Sequence, residues 1–202
     1  MRRDLTQERR RRFTRLRAVL AGGLVLGIGT TATLAAWTDE EHVSGSFTAG
    51  TFSIVGSPNG TDFSDHPTAP GASLLFTVTP DAMVPGMTVY ALYSVKTAAS
   101  SVAGSVQVSA DAGNANGLGS YLRYGVRTIA GTTCNATTFA DGTPIVDTGT
   151  VLTTGSTAMS ALAANGASAV NYCFAVTLPT TAPNAAQGTT LTGRWVFAAT
   201  AD

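Results

Sequence analysis

The run AVNYCFAVTL, residues 169–178, sets apolar side chains at every second position, so that Val170, Tyr172, Phe174, Val176 and Leu178 share one face. A period of two belongs to a β-strand with one buried side. Outward from this run the same alternation recurs at 189–200, where Trp195 and Phe197 share a face, and strand signals continue at 47–55, 73–79, 88–97, 101–110 and 121–129. Turn-forming clusters separate them, notably Ser57-Pro58-Asn59-Gly60, Asp111-Ala112-Gly113-Asn114 and Pro183-Asn184. Seven strands punctuated by turns, with almost no helix, predict an all-β fold: an antiparallel, immunoglobulin-like β-sandwich of about seven or more strands. One short helix is expected over 158–164, capped by Ser156 or Thr157 and ended at Asn165-Gly166 with the glycine left-handed.

The formal charge of the 202-residue chain is zero, but eight of its twelve Lys and Arg residues lie between Arg2 and Arg17. From Trp37 onward Lys96, Arg123, Arg127 and Arg194 face ten acidic residues, a formal charge of −6. Phosphate binding needs clustered cations, so this part of the chain has no basis for a nucleic-acid partner. The arginines precede an apolar stretch over 18–28 and then small residues up to Ala35-Ala36, the layout of a secretory signal. A membrane span needs about twenty apolar residues, whereas this run reaches about eleven before Gly29-Thr30-Thr31 dilutes it. Residues 1–36 are therefore expected to be a signal peptide and 37–202 a single secreted domain, in contact with the membrane only through the leader before cleavage. Cleavage after Ala36 frees Trp37, with the bond after Ala35 its close competitor; an uncleaved anchor is the rival reading, and the consecutive arginines raise the twin-arginine export route.

Past the cleavage candidate comes AAWTDEEHVSGSFTAGTFSI, residues 35–54. It resembles the TasA/camelysin family of secreted matrix proteins, in which a small-residue pair and an aromatic precede a short acidic stretch, then Phe-x-Ala-Gly-Thr and an apolar strand. Trp37, Asp39, Phe47, Ala49, Gly50 and Thr51 fill those positions, with further matches at Val84-Pro85-Gly86 and in the terminal strand Trp195 to Thr200. The resemblance implies a jelly-roll-like sandwich, a leader read by a SipW-type signal peptidase, and polymerisation into extracellular biofilm fibres, in some members by lending the N-terminal strand to a neighbour. Camelysin-type relatives are described as metallopeptidases.

The residues here supply no such chemistry. The two histidines, His42 and His66, sit in polar, turn-like stretches, and neither Asp39-Glu40-Glu41-His42 nor Asp62, Asp65 and His66 has the spacing of a zinc-protease helix. Both read as solvated charged segments. No glycine-flanked nucleophilic serine and no phosphate-binding glycine motif occurs. The expectation is a protein with no catalytic residue, no metal ligand and no cofactor. Cys134 and Cys173, an isolated pair in an exported chain, are expected to form one disulfide. It would close a loop of about 40 residues, worth roughly 3–4 kcal/mol in the chain-entropy model.

Strand addition is the assembly mechanism these features suggest. Trp37, Phe47, Ala49, Gly50, Phe52 and Ile54 lie in a β-prone stretch that becomes a free terminus once the leader is removed, and a free strand can pair with an exposed sheet edge of another copy. The competing reading makes Phe47, Phe52 and Ile54 the first strand of a monomeric sandwich, serving as an adhesion or ligand-binding module at the cell surface. Residues 198–202 follow a strand without a sorting signal, so attachment to a cell is expected to be non-covalent or through an uncleaved leader.

Overall fold

A computed structural model of the chain describes residues 4–31, 39–76 and 82–202. These fall into two compact units, Met1–Phe47 and Thr48–Asp202. In the first, α1 (Asp4–Thr31) carries solvent-exposed Phe13, Leu16, Val19, Leu20 and Leu24. No helix among the described residues is long and apolar enough to cross a membrane. Ala35, Ala36 and Trp37, the cleavage positions expected from sequence, lie outside the described residues. Residues 39–50 have no regular secondary structure and are exposed throughout.

The second unit is an antiparallel β-sandwich. One sheet contains β1 (Ile54–Ser57), β2 (Leu75–Phe76), β3 (Thr88–Thr97), β5 (Arg123–Ile129), β6 (Thr143–Thr150) and β8 (Val170–Thr177) in the order β1-β3-β8-β5-β6, with β2 also pairing β3. The other contains β4 (Gly104–Ala110), β7 (Ser160–Leu162) and β9 (Trp195–Ala201) in the order β7-β4-β9. Alternation dictates the core: Val89 and Val95 of β3, Tyr124 and Val126 of β5, and Tyr172, Phe174 and Val176 of β8 meet Val106 and Val108 of β4 and Leu162 of β7. The β9 aromatics close this core from the smaller sheet. Phe197 stands 5.0 Å from both Tyr93 and Tyr172, and Trp195 lies 5.3 Å from Phe174. Such pairs contribute about 0.5–1.5 kcal/mol each beyond their buried area.

The outer face of the large sheet is also covered. Leu92, Cys173 and Ala175 lie beneath Cys134 and Phe139 of a segment that contains α2 (Ala136–Asp141). Asn135 caps that helix reciprocally with Thr138, and Arg127 donates to the carbonyls of Ala140 and Gly142 at its other end. The expected disulfide pins the segment: Cys134 and Cys173 are bonded, with Cα atoms 5.3 Å apart across a sequence separation of 39.

Two expectations are corrected. Residues 158–164 do not form a helix, because Ser160–Leu162 pairs with β4 and buries Leu162. Ser156 is no helix cap; its Oγ accepts from Val108 N–H and donates to the Ala158 carbonyl. So short a run cannot hold a helix against a sheet edge that rewards pairing. The left-handed pair at Asn165 and Gly166 is present, with φ of 58° and 64°, but it turns the chain out of β7. The strand expected over 47–55 starts instead at Ile54, preceded by a single bridge from Thr51 to Ser101.

Candidate strand-acceptor site

Every open sheet has edges, and the edges here differ in how they are guarded. β6 carries Pro144 and Asp147, and its pairing with β5 is broken by register shifts. β7 is three residues long, and β1 and β2 share one edge of β3 as strands of four and two residues. Short strands, prolines, charges and bulges are the usual protections against edge-to-edge pairing. β9 has none of these: seven residues from Trp195 to Ala201, without proline, charge or register shift, pair only with β4 among the described residues.

The register shows which groups that edge presents. Asp111 N–H donates to the Arg194 carbonyl at 3.1 Å, and Asp202 N–H to the Ala103 carbonyl at 3.2 Å, at the two ends of the β4–β9 ladder. Antiparallel strands alternate hydrogen-bonded and non-bonded pairs. Val196, Ala198 and Thr200 therefore spend their backbone groups on β4, while those of Trp195, Phe197, Ala199 and Ala201 point to the open side. On the far side of β4, Val108 shows the same alternation, its N–H and carbonyl both bonded to Ser156.

Beside this edge lies a cavity of about 540 Å³ between the sheets, bordered by residues 65–74 and 191–197 and floored by core residues such as Val89, Tyr93 and Phe174. Asn114 fixes the approach to β9. Buried, it donates to the carbonyls of Leu152 and Arg194 and accepts from Arg194 N–H. Burial raises the phenols of Tyr93, Tyr124 and Tyr172 above their ordinary value of 10.0.

The residues expected to donate a strand divide into two groups. Ile54 is in β1 opposite Thr97, and the Phe52 ring packs on Gly104, where an added Cβ would meet the Thr200 carbonyl oxygen first and then the ring, 2.6 Å from its Cε2; both explain the glycine. Phe47, Ala49 and Gly50 are exposed, Phe47 by 97%. Trp37 lies outside the described residues. Residues 42–49 alternate strictly, with Val43, Gly45, Phe47 and Ala49 on one face and His42, Ser44, Ser46 and Thr48 on the other. Sequence reasoning passed over Val43 and Gly45, which the period of two marks, and over the β9 edge, whose lack of charge is visible but whose edge position is not.

The acidic segments remain scattered. His42 meets Glu40 at 3.7 Å with both side chains exposed, His66 is hydrogen-bonded to Ser64, and Asp62 to Asn59. Among the described residues no three His, Cys, Asp or Glu side chains converge on a point that a metal ion could occupy. No protein-family model matches the chain, and no curated protein matches it.

Proposed function

We propose that the chain is the precursor of a secreted, non-catalytic structural protein of the extracellular matrix or cell surface, similar to the TasA/camelysin family. A SipW-type signal peptidase removes the leader at Ala35-Ala36-Trp37, and the mature chains associate into oligomers or fibres by strand addition. The donor is the 42–49 segment of one copy and the acceptor the open edge of β9 in the next.

The observation that carries this reading is a pair of features within one chain: an amphipathic segment that is unpaired among the described residues, with Val43 and Phe47 exposed, and an edge strand that pairs only with β4 among the described residues, beside a cavity of mixed but mainly apolar lining. Backbone pairing along such an edge supplies affinity, and the pockets beside it take alternate side chains. N-terminal sequencing of the exported protein, followed by light scattering over a concentration series, tests it. A chain that begins at Trp37 and grows with concentration supports the reading. A folded chain that stays monomeric at all concentrations rejects it in favour of a monomeric adhesion module, and chelator-sensitive proteolysis rejects the non-catalytic assignment.

A further inference from the structure

Ten consecutive residues, 65–74, border the cavity beside β9 along their whole length. Their anchorage is slight. At one end Ser64 exchanges two backbone bonds with Gly56, each 3.0 Å, and at the other Leu75 and Phe76 pair with Leu92 and Ala91 of β3. Between these points the backbone makes one internal bond, Gly71 N–H to the Thr68 carbonyl, and among the described residues none to either sheet. Pro67 and Pro70 lack the N–H that a paired strand must supply, so this strap cannot itself become the strand added to β9. Its side chains are exposed over 65–71 and at Ser73; Ala72 and Leu74 are half-buried, and Leu74, packed against the main core, is its principal hold over the cavity.

We propose that the strap is a displaceable cover of the acceptor groove and sets the rate at which chains assemble; this rests on the strand-addition reading. It shields apolar surface in the unassembled chain without using the outward groups of Trp195, Phe197, Ala199 and Ala201. A donor segment from a second copy makes that ladder and the strap does not, so exchange replaces side-chain contact with side-chain contact plus backbone bonds. Among the described residues, moving the strap aside breaks no backbone bond to a sheet.

The test uses the full mature chain and two variants, Leu74→Ser and a deletion of residues 67–72, followed by light scattering at matched concentration. Both variants assemble faster to the same final size, Leu74→Ser by up to about tenfold, the factor that corresponds to the half-burial of one leucine lost from the covered state. Rates equal to or slower than the parent in both variants, with cooperative thermal unfolding retained, overturn the cover while leaving strand addition standing. A parent and variants that all stay monomeric overturn strand addition and the cover with it.

Discussion

Replacing Phe47 by Ala separates assembly from folding. The ring is 97% exposed, so it contributes nothing to the stability of the isolated chain and the variant unfolds at the parent temperature. If Phe47 enters the mainly apolar cavity of a second copy, its burial is new on association. Full burial of a phenylalanine side chain is worth about 1.5–3 kcal/mol. Losing it weakens association by about 10- to 150-fold. The assay is dilution of the assembled mature chain with scattering or sedimentation as readout, beside a thermal melt of the same sample. Phe52→Ala is the contrasting control: its ring is seated against Gly104 within the sandwich, so its loss lowers the melting temperature. A Phe47→Ala chain that dissociates within twofold of the parent concentration, with its melt unchanged, refutes the placement of this side chain in the groove.

On the strand-addition reading, Ala199→Pro removes an outward N–H from β9 without touching the ladder to β4, so assembly is abolished while the melt stays within a few degrees; mass photometry of the variant alone and mixed with Phe47→Ala reads this, and at concentrations below the weakened self-association of Phe47→Ala the mixture forms a capped pair, the intact donor of one variant seated on the intact edge of the other. Replacing Cys134 and Cys173 together by Ala releases a 39-residue separation and costs about 4 kcal/mol in the chain-entropy model, measured by denaturant unfolding. The three raised tyrosines make stability flat up to the unfolded value of 10.0 and falling above it, because the folded state keeps protons that the unfolded state releases. Phenolate absorbance rising together with unfolding checks this; full ionisation before unfolding contradicts it.

The sandwich was legible because its inner face is written in large residues. Tyr172, Phe174 and Val176 alternate without interruption, and Trp195 and Phe197 repeat the pattern in the opposing sheet. The outer face of β8 was not legible. It presents Cys173 and Ala175, small side chains that look neutral until the α2 segment covers them. That helix escaped notice because its capping box ends on Thr138 instead of the Glu or Gln that usually signals one. β6 was hidden by Pro144 and Gly149, which read as breakers but are tolerated on an edge. The donor stretch looked continuous from Trp37 to Ile54. Its division near Thr51 depends on the bridge to Ser101 and the seat of Phe52, contacts made by residues about 50 positions away.

The covered outer face of the large sheet has a consequence for architecture. With the α2 segment stapled over that side and β6 guarded, each copy on the proposed reading offers one giving end and one receiving end. In polymer terms it is a bifunctional monomer. Such units extend in single file without branching, reach a mean length set by concentration and joint strength, and halt when a unit missing one function joins an end. Trace amounts of a giving-deficient or receiving-deficient chain would then act as a stopper, shortening every filament in proportion to its mole fraction. On the proposed reading, a few defective copies among the secreted chains would be enough to trim the length of the threads.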